Sequence, residues 1–488
     1  MNKLIDAQFI INAGPGGTFL PSGEYHTSPE DVDAMFQNFE TNGAKHIAIY
    51  FHGGLVNESA GLNAARNIAP HIIAANCVPV CFVWETGLLE TFRENISKIR
   101  EMSLFNILLK FLLRKISEKI GLGTDIGRGS GAGLSAQQID LELQKPYPFA
   151  EIDKQTEHAG SRDGSSIESL EALDRVGQLE NRLKIEFEKE IRKDIQLIGE
   201  LSRHSQDILE KGNAADSRAG TLLVALIPSI AKVAYKCIKR FISKRDHGFM
   251  PTVVEELLRE LYISEIGAWI WKGMKDKSAA LWESNERLNG LHRHAGRYFL
   301  DQLTHYISRF PETEVSLIGH SAGSIAICNL LNAIHNQVDI IKFKHIIFLA
   351  PACRTELFEE HLLKQPDRFQ SLRIFTMSDE NECKDVLVPY IYPRSLLYLI
   401  SGVLEDNGKP FDAPILGLER HIAFKKPYGD EPYRKVHEFL YFAGSNRCCF
   451  SKSLNGAGAG IQTQSLKHGD FDDDIPTLNS ITHILSQQ

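Results

Sequence analysis

Glu314–His335, EVSLIGHSAGSIAICNLLNAIH, is the stretch whose reading decides the fold. Val315–Ile318 is a short continuous apolar run, as expected of a strand covered on both faces. Ser324–His335 is apolar at helical spacing and starts almost at once. Between them Gly319-His320-Ser321-Ala322-Gly323 has the form G-x-S-x-G. A sharp strand-to-helix turn holds its serine in a strained conformation, with the hydroxyl raised above the sheet. It needs small neighbours, and Gly319, Ala322 and Gly323 supply them. A bare match arises by chance about 0.2 times in a chain of this size, so the flanking strand and helix carry the weight. The plainer reading is a tight packing turn with an incidental serine.

The same alternation extends outward. Upstream, HIAIYF (His46–Phe51) and VPVCFVW (Val78–Trp84) read as buried parallel strands joined by a helix over Gly61–Ala75. Ser28 and Pro29 cap and start an earlier helix running through Phe39. A helix over Asn285–Phe310 precedes the decisive stretch. Downstream come a strand (His345–Leu349), a helix near Glu356–Leu363 and a strand (Leu372–Met377). A last strand is expected at Glu438–Phe442 and a terminal helix at Ile475–Leu485. Such alternation specifies an α/β class, a mostly parallel central sheet with helices on both faces.

Between these regions the texture changes. Leu104–Ile116 (LFNILLKFLLRKI) is strongly apolar, Gly121–Ser166 is polar and reads as a loop, and Glu168–Leu209 and Val253–Trp271 are helical in pattern. Residues 1–87 and 278–488 therefore read as two parts of one core, and 88–277 as a large helical insertion or cap.

Composition sets the outer limits. Of 488 residues, 43% are apolar and 24% charged, which excludes a disordered or low-complexity chain. The net charge of −8 argues against a nucleic-acid partner. The eight cysteines are sparse, form no zinc-type pattern and lie mostly in apolar runs, which favours free thiols in a reducing, cytoplasmic setting. The N-terminus lacks a signal peptide's apolar core, and no run of about 18 apolar residues suggests a spanning helix.

The GHSAG turn, set between strand and helix, resembles the nucleophile elbow of the α/β-hydrolase superfamily, specifically its lipase/esterase-like serine hydrolases. The resemblance covers about Lys45–Gly87 and Asn285–Gln488 and leaves the helical insertion outside. It implies an α/β-hydrolase fold, an acyl-enzyme mechanism and no cofactor or metal. His52-Gly53-Gly54-Leu55 follows a strand, as does the glycine turn that lends such enzymes an oxyanion-hole amide. Gly54 or Leu55 would donate, with Ala322 as the second donor. The superfamily order of serine, acid, histidine places the acid just beyond Leu372–Met377. Asp379 is expected there, with Asp385 as the alternative acid and a solvated acidic loop for most other carboxylates. His468, on a loop after the last expected strand, is the expected base. His421 is a weaker rival, and His437 and His483 read as structural.

Four other features attract competing readings. Gly127–Gly133 (GRGSGAG) follows no strand and lacks a phosphate loop's ending, so a linker is the simpler account. His292 and His294 fall at helical positions that face apart. Asp470–Asp474 lacks calcium-loop spacing, whereas Asp474 with Pro476 fits a helix start. Lys232–Arg245 is basic and amphipathic. It suits either a peripheral membrane contact through the insertion or a packed helix with a solvated basic face. The expected function is cleavage of carboxylic esters, lipid or other hydrophobic acyl esters favoured. Amide or thioester cleavage uses the same residues, and a non-catalytic interaction protein on this scaffold is the competing class.

Overall fold

The computed structural model describes residues 8–54, 56–84, 89–122, 133–158, 164–194, 197–199, 217–262, 268–335, 341–405 and 411–487. Seven strands make one sheet: β1 (Ile10–Ala13), β2 (His46–Phe51), β3 (Val78–Trp84), β4 (Glu314–His320), β5 (Phe343–Leu349), β6 (Phe369–Met377) and β7 (Cys448–Ser451). Their order is β1-β3-β2-β4-β5-β6-β7, and every neighbouring pair is parallel. Parallel pairing needs crossovers. The helices Glu58–Ala74 and Gly323–Ala333 supply those from β2 to β3 and from β4 to β5.

Both faces of the sheet are covered, which is why its inner strands read as unbroken apolar runs. Successive residues point to opposite faces. Tyr50 packs in a cluster with Leu62, Ala65 and Ile68 of the first crossover helix and Ile481 of the terminal helix Ile475–Leu485. Its neighbour Phe51 stacks on Phe82 and meets Trp282, and Phe82 meets Phe299 of the helix Ala295–Arg309. The expected Ser28 start is present: Ser28 Oγ accepts from Asp31 N–H, and Asp31 in turn accepts from Ser28 N–H.

After β3 the chain crosses to the other side of β2 to form β4, so the order reverses between β2 and β4. In open α/β sheets the crevice beyond the carboxyl ends at such a point is where ligands bind. Register pairs Phe51 with Gly319, which sets the turn after β2 beside the turn after β4.

Several boundaries differ from the sequence expectation. Glu438–Phe442 is not a strand. Its first residues end the helix Glu431–Leu440, in which Val436 and Leu440 share a buried face at i, i+4 and Pro432 sits at the start. The last strand is instead Cys448–Ser451. The edge strand Ile10–Ala13 gave no signal because four residues are too few to show a period. The expected helix at Asn285 starts at Ala295. His292 and His294 therefore lie on a 3-10 turn and its exit, not in a helix. The polar stretch after Gly121 contains the helices Ala136–Glu142 and Ala150–His158. Most of GRGSGAG, like Leu55 and Glu85–Gly87, lies outside the described residues.

The chain divides into two compact units. One comprises Met1–Leu89, Trp269–Asp385 and Pro414–Gln488 and holds the sheet. The other comprises Glu90–Ala268 and Val386–Ala413 and has no strand among its described residues. The helical unit thus ends earlier than Lys277 and takes in Val386–Ala413. Tyr392 Oη donates to Glu255 at 2.5 Å and Arg394 pairs with Asp153 at 2.8 Å, fixing that segment within it.

The basic helix of this unit, Ser217–Ile242, is not a solvated positive face. Lys232 and Lys236 pair with Glu260 at 2.9 and 3.1 Å, and Lys239 pairs with Asp174. Arg240 is fully buried, 2.6 Å from Glu255 and 3.2 Å from Glu256. Burial pushes the Glu255 carboxyl up, but His247 and Arg240 beside it prevail and bring it down to about 2. No described helix is long and apolar enough to cross a membrane.

Candidate active site

Ser321 sits at the carboxyl end of β4 with φ +49, a left-handed conformation that costs a non-glycine residue free energy. Its surroundings hold it there. Ser321 N–H donates to Leu349 O at 2.8 Å, and its own carbonyl accepts from Ala352 N–H at 3.0 Å and from Ser324 Oγ at 2.6 Å. The small residues of the motif are required by contact. A Cβ on Gly319 would stand 2.8 Å from the Gly323 carbonyl carbon, and one on Gly323 would stand 2.2 Å from Phe51 O. The helix Gly323–Ala333 begins directly behind the serine, and its first amides have no intrahelical acceptor.

His468 comes to Ser321 from 147 residues away. Its Nε2 lies 2.8 Å from Ser321 Oγ, and the ring is 7% exposed. Burial, aided by the nearby His320 and opposed by Asp472, brings the imidazole down to about 3. The ring is therefore neutral near pH 7 and able to accept the hydroxyl proton. His468 Nδ1 is buried and has no hydrogen-bond partner among the described residues.

The two expected acids part here. Asp385 Oδ2 accepts the main-chain N–H of His468 at 2.9 Å. Asp379 makes no hydrogen bond to His468, and its own N–H donates to Glu419 at 2.8 Å. The reason is local. Ser378 caps a helical turn, Asp379–Glu382, so the chain coils once after β6 before reaching the histidine. Asp385, the alternative acid, is the carboxylate that bonds His468, and it does so at the main chain and not at ring Nδ1. Glu382, expected in a solvated loop, is fully buried.

The glycine turn after β2 meets the elbow as the register requires. A Cβ on Gly53 would lie 3.4 Å from Ser321 Cβ, and one on Gly54 would lie 2.7 Å from Ala322 Cβ. His52 locks this turn to β3. Its Nε2 accepts from Trp84 N–H at 3.1 Å, so Nδ1 carries the hydrogen and donates to Gly53 O. Burial draws His52 down to about 4, in keeping with that neutral tautomer. Gly54 and Ala322 thus adjoin each other beside Ser321. Leu55, the other expected donor, lies outside the described residues.

Two other histidines weighed for the base make different bonds. His421 is buried, with Nδ1 accepting from Ile415 N–H at 2.9 Å, and His437 bonds to Ile422 O from a helix. Asp474 caps the terminal helix as expected, accepting from Thr477 N–H at 3.0 Å.

Sequence reasoning missed a second cluster behind the elbow. His320 Nδ1 lies 3.0 Å from Asp472 Oδ2, which also accepts from Tyr50 Oη at 2.7 Å. His320 Nε2 donates to the carbonyl of His468 at 3.0 Å. Tyr50 and Asp472 lie 422 residues apart, and neither stands in a motif. The one available signal was that His320 occupies the elbow itself. No family model, curated protein or solved structure matches the chain.

Proposed function

We propose that this chain is a serine hydrolase with an α/β-hydrolase-type site, cleaving carboxylic esters through an acyl-enzyme. The observation that carries the reading is the 2.8 Å approach of His468 Nε2 to the hydroxyl of a serine held at φ +49. In this mechanism His468 takes the Ser321 proton as the oxygen attacks the carbonyl carbon. The carbonyl oxygen becomes an oxyanion held by main-chain amides at Gly54 and Ala322. Asp385, bonded to the His468 main-chain N–H, holds in place the residue that carries the base. His468 then returns the proton to the leaving alcohol. Water, activated by the same histidine, releases the acid and restores Ser321.

Hydrophobic acyl esters are favoured because the helical unit is rich in apolar sequence. The paired lysines of its basic helix give no support to a membrane-surface role. All eight cysteines are free thiols, which supports a reducing compartment such as the cytoplasm. Amide or thioester cleavage would use the same groups. Turnover of p-nitrophenyl esters of increasing acyl length by wild type and Ser321→Ala tests the reading. Hydrolysis that rises with chain length and disappears in the variant is expected. Equal turnover by both proteins contradicts it.

A further inference from the structure

The cluster behind the elbow does more than fill space. His320 Nε2 faces a carbonyl oxygen, which can only accept, so Nε2 carries a hydrogen. Nδ1 faces Asp472 Oδ2, an oxygen that already accepts from Tyr50. A carboxylate oxygen with two donors converging on it is best satisfied when ionised. Nδ1 is then protonated as well. His320 and Asp472 are each 6% exposed and Tyr50 is fully buried, so water does not compete for these bonds. The His320 ring centroid is 5.6 Å from that of His468.

We propose that His320 is a positioning residue of the hydrolytic site: backed by Asp472 and Tyr50, it carries a positive charge beside the His468 ring and fixes the His468 main chain, so that the base stays unprotonated in acid. The inference rests on the serine-hydrolase reading above. It adds that the site keeps working well below the pH at which an ordinary histidine base is lost.

The charges around both rings agree. His468 faces the Ser321 hydroxyl on Nε2, Asp385 at its main-chain N–H, and His320 and Asp472 from behind. Burial opposes charge on His320, but Asp472 and the bonds to Asp472 and His468 prevail and raise its pKa. Burial likewise opposes ionisation of Asp472, and His320 and Tyr50 prevail there. Asp473 adds to the charge on His320. His52, the other buried histidine nearby, is held neutral by its bond from Trp84. Gly53 closes the remaining side: a Cβ there would lie 3.5 Å from His320 Nδ1.

The test is the rate of modification by a fluorophosphonate probe across about pH 4 to 8, for wild type, His320→Gln and Asp472→Asn. Wild type should react at pH 5 within about twofold of its pH 8 rate. His320→Gln removes the positive charge outright, and Asp472→Asn removes the carboxylate that holds it on His320. Each should show an acidic limb moved up, by a unit or more in His320→Gln, where Asp472 remains. The rate of His320→Gln at pH 5 should fall about tenfold or more below its own rate at pH 8. A merely structural role would lower the rate equally at every pH. A wild-type limb at pH 6.5 or above, or variants whose profiles parallel wild type, overturns the proposal. Asp472→Asn preserves side-chain volume, so its comparison with wild type stands even if His320→Gln does not fold. Absence of labelling in wild type at every pH overturns the hydrolase reading itself, and this inference with it.

Discussion

Asp385 Oδ2 accepts the main-chain N–H of His468 at 2.9 Å, while the ring of the same histidine meets Ser321 through Nε2. One carboxylate therefore holds the residue that carries the base, and His468 Nδ1 is left without a bond among the described residues. Asp385→Ala, which leaves the His468 main-chain N–H without its acceptor, should lower the rate of ester cleavage about a hundredfold, the cost of a base displaced from its reacting geometry. Asp379→Asn should change it less than about threefold. Steady-state kinetics on both variants checks this, and the reverse ranking contradicts the assignment.

Gly323→Ala should disable the elbow. The new Cβ would fall 2.2 Å from Phe51 O, so either β2 or the nucleophile turn must move. A loss of about 1–3 kcal/mol in urea unfolding, together with lost probe labelling, is expected. Gly458→Ala is the matched comparison, because its Cβ would find nothing nearer than 3.9 Å. It should stay within about 0.5 kcal/mol of wild type.

Stability should fall as pH drops from about 6.5 toward 4. Burial lowers His46, His52 and His345 to about 4, and His468 to about 3. The unfolded chain takes up protons at these sites near pH 6.5, which the folded chain refuses until their lower values are reached. Unfolding is therefore favoured progressively across that window. For the fully buried His52 the shift corresponds to about 3 kcal/mol. Asp153, raised by burial to about 6, works the other way: its contribution is full below 3.8 and is lost as pH rises through 6. Urea midpoints measured at pH 7, 5.5 and 4.5 should decline in that order, and a flat or rising series contradicts the account.

Arg240→Leu should weaken the helical unit by about 3–5 kcal/mol, because Glu255 and Glu256 would be left buried beside a missing charge. Lys154→Ala, at an exposed pair with Glu151, should cost less than about 1 kcal/mol. Chemical denaturation of the two variants should separate them clearly.

The sequence was most legible where local chemistry and topology agree. Five strands, the capped helix at Ser28 and the elbow at Ser321 each carry their own signal in apolar runs, a cap residue or small neighbours. His468 was found by the role required of a loop late in the chain, although the strand expected before it is a helix. Asp379 and Asp385 stand six residues apart, and the helical turn between them, which decides which one meets His468, is signalled only by the Ser378 cap. His320, Asp472 and Tyr50 could not be joined from sequence. Their relationship exists only once β2, the elbow and the segment before the terminal helix converge. The extent of the helical unit was misread at Val386–Ala413, since an apolar segment does not announce which buried surface it joins.

The central claim is that Ser321 is an activated nucleophile. Mass spectrometry of peptides from fluorophosphonate-treated protein measures this directly. The account predicts a single stoichiometric adduct on the peptide carrying Ser321, abolished in Ser321→Ala and in His468→Ala. An unmodified Ser321 in folded wild-type protein, or an adduct that survives Ser321→Ala, would contradict it.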